Sequence, residues 1–542
     1  MLGPAFTRSG REAPNTLLVT AAACLLLIMA GKASAQVQVQ PLAAPDLFSI
    51  GSGPSDLPGD LWHGSSASLA RAVIPHVGSR PISPAAAALA RHVLSAGANA
   101  PEGGGDDAEL AAARAGALLT LGDALGAEVI AERTPNLSQK PALSQVAAEA
   151  ALVRGQDDKA CAVGDALTTG RDGAFWLRLR AYCQARAGQA AAAQLTLDLA
   201  QQQTQSPDFT RLITAMLAAT DGGAGALDDG LDYALSRRTA PAWPAALPTA
   251  SAPVIVAVAH DPMAPPAARL EAAARSARIG FPAPETYGAI APPPTDVAAA
   301  NQPGAAGEAA LVAIAGSASD NVVKEAAVIA LLKRSSDATD FQALAGFAAP
   351  AIAQLLAART MLKEPALFAE AAAVAGDLPS ARAARSLVGS AGPPPAPLDL
   401  ALLDALITAA TPGQPGGETA AAIDASAGPA GAPSASRAAA AMALLAALGA
   451  PLDAQARLDI ATSDLGPARL TASRRAAMEA AARAGRIGDT ALYVLVAAFE
   501  GGAAGPGPAD RIALVQALAL AGLKPDARAL AVEGLIALQA RP

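Results

Sequence analysis

Apolar positions along this chain recur at helical spacing, in short stretches that a glycine interrupts and a second apolar stretch resumes. Between positions 108 and 237 the stretches fall into pairs: 108–121 with 124–133, 141–154 with 157–168, 174–187 with 190–203, and 209–220 with 227–237. Apolar residues three and four apart lie on one face of a helix, so each stretch predicts an amphipathic helix. The glycines between partners are Gly122, Gly155, Gly188 and Gly222, spaced 33, 33 and 34 residues apart. A constant period of this length marks a helical repeat array. Five residues beyond the first three glycines stand Ala127, Ala160 and Ala193, small enough for the second helix to close on the first. The predicted fold is all-α, an α-solenoid of antiparallel helix pairs.

A second series, Gly376, Gly413, Gly449, Gly485 and Gly522, runs at 37, 36, 36 and 37 residues. Around Gly485 and Gly522 the turns share a local pattern that ends in Asp489 and Asp526, which predicts aspartate caps for the helices that follow. Between the two series the stretch 241–303 is proline-rich, and 321–334 reads as an amphipathic helix. The segments 36–60 and 411–434 are rich in small residues and proline and are expected to be mobile. The resulting division is a leader at 1–35, a flexible segment at 36–60 and an N-terminal repeat array at 61–238. A proline-rich middle follows at 239–303, a helical region at 304–410, a low-complexity loop at 411–434 and C-terminal repeats at 435–542. The repeat turns are placed at Gly122, Gly155, Gly188, Gly222, Gly485 and Gly522.

One unit carries a family resemblance. In 173–207, Trp176, Leu179 and Ala192 stand where a tetratricopeptide repeat places its tryptophan, leucine and small alanine. The chain departs from that pattern at Arg180, Cys183 and Thr196, which replace a glycine, a tyrosine and an aromatic residue. The resemblance, close in this unit and looser in its neighbours, implies stacked helix pairs with a concave face used for protein binding.

Composition narrows the setting. Alanine supplies roughly a quarter of the residues, aromatic residues only 3%, and charged residues 16%. Alanine favours helix and buries little area per residue, so the expected core is thin and the helices close. The net charge of −8, with only isolated basic pairs such as Arg237–Arg238 and Arg474–Arg475, argues against nucleic acid as a partner. At the N-terminus Arg8 and Arg11 precede an apolar run at 16–31, and Ala33-Ser34-Ala35 fits a cleavage site. This is the pattern of a Sec-type secretory signal cleaved after Ala35, and it places the mature chain in the periplasm or outside the cell. No membrane span is expected once the signal is removed. Of the three cysteines, Cys24 lies within that run, which leaves Cys161 and Cys183. An even pair in an exported chain predicts a disulfide. The two cysteines flank the turn at 169–173 almost symmetrically, so antiparallel helices would bring them level.

Candidate chemistry is sparse. His63, His76, His92 and His260 are scattered and show no metal-ligand spacing. Trp62 beside His63 reads as an anchoring aromatic next to a surface histidine. The pairs Asp106–Asp107, Asp157–Asp158 and Asp228–Asp229 fall at or near predicted helix starts, where capping and the helix dipole account for them. No catalytic residue, cofactor site or metal site is expected. The sequence points to a non-enzymatic, exported scaffold that binds another cell-envelope protein. An accessory or enzyme acting on the cell wall and a structural alanine-rich envelope protein are the alternatives.

Overall fold

The computed structural model describes residues 45–539 apart from 224, 240–245, 284–286, 288–295, 391–393 and 430. The expected leader at 1–35, its expected cleavage site and positions 36–44 lie outside the described residues. Among the described residues the fold is all-helical and contains no strand. Consecutive helices pack in pairs: Ala108–Thr120 with Ala124–Arg133, Pro141–Val153 with Asp157–Ala166, and Ala174–Arg186 with Ala190–Gln203. The same pairing joins Ala305–Ser317 to Asn321–Leu332, Pro365–Val374 to Leu378–Ser386 and Pro508–Leu520 to Lys524–Leu538.

The turns explain the glycine spacing. The backbone at Gly122 is left-handed, with φ +91°, and the Asp123 N–H reaches back to the Leu118 carbonyl at 2.9 Å. That six-to-one bond satisfies a carbonyl orphaned at the helix end and needs a residue without a Cβ penalty. The equivalent bonds run from Gln156 to Ala151, Gln189 to Gln184, Arg486 to Ala481 and Leu523 to Leu518, behind Gly155, Gly188, Gly485 and Gly522. Gly222 does not play this part. The helix Pro207–Ala218 ends on Ala219, which itself takes the left-handed conformation (φ 53°), and Thr220 makes the six-to-one bond. Gly222 serves close approach instead, because a Cβ there would lie 2.8 Å from the Leu212 side chain. Ala127, Ala160 and Ala193 are all fully buried, as close helix packing requires.

Two hydrophobic clusters form. One runs from Ala148 to Leu235 and is centred on Trp176, Leu179, Tyr182, Phe209 and Ile213. The other takes in most of the remaining helices. The helix Pro141–Val153 is the wall between them: Leu143, Ala150 and Val153 belong to the larger cluster, and Ala148, Ala151 and Leu152 to the smaller. The smaller cluster and its helices are called the lobe below, and the rest the body. The predicted disulfide lies in the lobe, with the Cys161 and Cys183 Cα atoms 5.9 Å apart.

The body joins the two ends of the described chain. Helices Ala67–Val73 and Pro84–Ser95 pack against Ile487–Gly501, and Pro84–Ser95 also packs on Lys524–Leu538. Trp62, fully buried, meets Phe48 edge-on and fills space that a side chain at Gly488 would occupy, where a Cβ would come within 2.4 Å of the indole. Asp489 and Asp526 are not the caps the turn pattern predicts, because their helices begin earlier, at Ile487 and Lys524. Each faces the N-terminal segment. The Asp489 N–H donates to the Ser65 hydroxyl at 3.1 Å, and the Asp526 carboxylate lies 3.0 Å from His92 Nδ1. Arg114 is fully buried and donates to the carbonyls of Leu94, Phe48 and Ala96 at 2.7, 3.0 and 2.6 Å, which ties the segment around Phe48 into the body.

Two segments expected to be mobile contain packed structure. Leu47 and Phe48 are buried, and within 411–434 the helix Glu418–Ser426 buries Ala420 and Ile423. Low complexity hid these few apolar anchors. Among the described residues one helix, Ala338–Ala357, is long and apolar enough to cross a membrane, although the spacing suggested no such segment after the leader. Half of its apolar window is buried in the fold, where Phe341, Leu344, Ile352 and Leu355 join the core.

Candidate functional site

Two repeat turns border a groove of about 760 Å³ between lobe and body. Gly122 to Leu125 form one edge and Val153 to Gly155 another, and the helix Ala252–His260 with Asp261 to Met263 lies opposite. Glycine has a second use here. A Cβ at Gly122 would stand 2.9 Å from the Phe281 ring, and one at Gly155 would stand 2.9 Å from the Arg237 guanidinium. The left-handed turn and the empty Cβ position together let a phenyl ring and a cation reach the groove wall.

Much of the lining is apolar, including Val153, Pro253, Val256 and Phe281. Leu125 and Met263 remain 56% and 83% exposed at the groove, and methionine adapts its shape readily to a partner surface. Polar groups along the walls are already engaged. The Tyr233 hydroxyl donates to Asp261 at 2.9 Å, and burial beside that carboxylate pushes the phenol well above its ordinary value. The Arg237 guanidinium lies 5.1 Å above the Tyr233 ring and pairs with Asp157 at 2.7 Å. Arg154 pairs with buried Glu128, which also receives Lys159 at 2.6 Å.

Asp157 therefore differs from the capping role expected of it. Its helix begins at Asp157 itself, and its side chain makes no capping bond. It is buried and accepts from the Tyr182 hydroxyl at 2.9 Å, Arg237 at 2.7 Å and Arg238 at 2.8 Å. Burial, then the Asp157 charge, pushes the Tyr182 phenol up to about 12. The basic pair Arg237–Arg238 thus fastens to buried Asp157 beside the disulfide, with Arg237 half-buried and Arg238 exposed. Asp107 and Asp229 do act at helix starts, accepting from the Leu110 and Asp232 N–H groups at 2.9 and 2.8 Å.

A second cleft, of about 630 Å³, runs between helices Ala108–Thr120 and Pro141–Val153 and includes Glu149. Burial pushes the Glu149 carboxyl up to about 7, and the nearby Asp229 charge adds to the effect. Gln145 donates to it at 2.7 Å. Asp232 is also raised to about 7, by burial first and then by Asp229, while Arg178 at 2.9 Å opposes the shift.

The sequence-predicted residues separate by place. Gly122 and Gly155 border the groove, and the disulfide lies near its Arg237 wall through Asp157. Gly188 and Gly222 belong to the far lobe, and Gly485 and Gly522 to the body. Met263 and Phe281 gave no signal, since nothing in their local pattern shows that 253–281 faces the turns at 122 and 155. Among the described residues no group of three His, Cys, Asp or Glu side chains could hold a metal ion. His63 is exposed, His92 belongs to the closure of the body, and His260 lies on the groove. Neither a protein-family model, nor a curated protein, nor a solved structure matches the chain.

Proposed function

We propose that this chain is an exported helical-repeat scaffold of the cell envelope, an α-solenoid of antiparallel helix pairs, and that it binds a protein partner through the groove at Gly122 and Gly155. The observation that carries the reading is the groove itself: apolar walls, charged side chains paired within the fold and two exposed apolar side chains, Leu125 and Met263, beside it. A surface built this way offers apolar area for a partner to bury. The helix pairs joined by glycine turns supply a rigid frame, as the tetratricopeptide likeness implies. The Cys161–Cys183 bridge suits an oxidising compartment, which supports export.

Photo-crosslinking tests the binding claim. A crosslinking residue replaces Met263, and in a second variant it replaces Leu458, an exposed apolar residue far along the chain (54% exposed). In intact cells the Met263 variant should yield a discrete protein adduct that the Leu458 variant does not. Equal adducts at both positions, or none at either, would contradict the reading. The N-terminal residue of the protein recovered from the envelope fraction checks export separately, with Gln36 expected.

A further inference from the structure

Three stretches far apart in the chain enclose a third cavity, of about 410 Å³, apart from the groove at Gly155 and the cleft at Glu149. They are the loop and helix start at 78–87, the residues 250–255 that open the helix Ala252–His260, and Arg278 with Ile279; Thr120, Leu121, Thr339 and Ala503 complete the lining. The walls are apolar where Ile82, Pro84, Ala87, Leu121, Ile255 and Ile279 meet. The volume falls in the range of small-molecule sites, about 300–1,000 Å³.

The polar groups on this cavity differ in what they offer a ligand. Ser251 occupies the N-cap of its helix yet makes no capping bond, and its Oγ is buried without a hydrogen-bond partner among the described residues. That oxygen has almost no accessible surface on the cavity, so a ligand there meets the start of the helix and not the hydroxyl. The helix that Ser251 opens adds the partial positive charge of its N-terminus. Arg80 is exposed on the same cavity and makes no ion pair or hydrogen bond among the described residues. Arg278 is different, because it is committed to Asp340 at 2.5 Å and Glu308 at 3.0 Å. The free cation and the helix start therefore border one apolar chamber, with no acidic side chain in its lining.

We infer that this cavity binds a small amphipathic carboxylate, its apolar body against Ile82, Ile255 and Ile279 and its carboxylate held by Arg80 beside the start of the helix Ala252–His260. Calorimetric titration of the full chain with decanoate, below its micelle concentration, tests this, with decanol as the neutral control. Decanoate should bind saturably at one site and more tightly than decanol. Arg80→Ala removes an exposed side chain and should weaken decanoate about tenfold, the scale of one charge-assisted hydrogen bond, while leaving decanol unchanged. Ala503→Trp, at an exposed lining position, should abolish binding of both by filling the cavity. Failure of decanoate to saturate one site, decanol binding as tightly as decanoate, or decanoate binding untouched by both substitutions would overturn the assignment.

Discussion

The lobe and the body use the same helix pairs and glycine turns but are held together by different means. The lobe is built from neighbours in sequence. Its core joins residues within 148–235, and its fastenings are a disulfide and the Asp157 contacts to Tyr182, Arg237 and Arg238. The body depends on contacts between the chain's distant parts: Trp62 against Gly488, Ser65 against Asp489, His92 against Asp526, and the Ala85 N–H donating to Glu533 at 3.1 Å. A local assembly tolerates changes elsewhere in the chain. A closed one loses its cooperativity when either end is loosened. The groove lies where the two kinds of assembly meet, so the relative rigidity of lobe and body sets its shape.

The largest effect should come from the body's closure. Trp62→Ala empties a fully buried site and should destabilise by about 3–5 kcal/mol, read as a lower melting temperature for the whole body. If only the segment around residue 62 loosened, the closure would not be the body's cooperative joint. Replacing Cys161 and Cys183 with serine should cost about 3 kcal/mol on the chain-entropy account, for a separation of 22 residues. That loss should be confined to the lobe, and limited proteolysis should show new cuts there and not near residues 84–95.

Two smaller effects concern charge. Glu149 is raised in the folded state to about 7 from an ordinary 4.5, so its ionisation opposes folding as pH rises through that interval. Glu149→Gln should therefore stabilise the protein by roughly 1–3 kcal/mol at pH 8, with the gain disappearing below about pH 4.5. Denaturant titrations at several pH values give the slope directly. His92 is raised to about 9, chiefly by its hydrogen bond to Asp526. Its contribution is fully present below about pH 6.5 and is lost as pH rises through 9. His92→Ala should cost about 1 kcal/mol at pH 6, since solvent screens the pair, and almost nothing at pH 10. An effect of equal size at both pH values would show that His92 acts by packing alone.

The comparison also shows what a sequence reveals. The helix-ending glycines and the facing cysteines are local features, fixed by backbone sterics and hairpin symmetry, so spacing exposes them. Gly222 misled because a regular interval says where a small residue stands, and Ala219 was free to take the left-handed turn instead. Asp157, Asp489 and Asp526 misled for a related reason. Aspartate near a helix start satisfies capping rules, and only tertiary contacts show that these three hold other segments. The groove was hidden for the same cause, since residues near 122, 154, 237, 256 and 281 converge on it without any shared local pattern. The closure of the body around Trp62 was equally silent in the hydrophobic periodicity.

Hydrogen exchange before and after reduction of the Cys161–Cys183 bridge tests most directly whether the lobe and body are separate assemblies. Reduction should speed exchange across helices Asp157–Ala166 and Ala174–Arg186 and leave Pro84–Ser95 and Lys524–Leu538 unchanged. Faster exchange in all four helices together would contradict the division. So would no change in any of them.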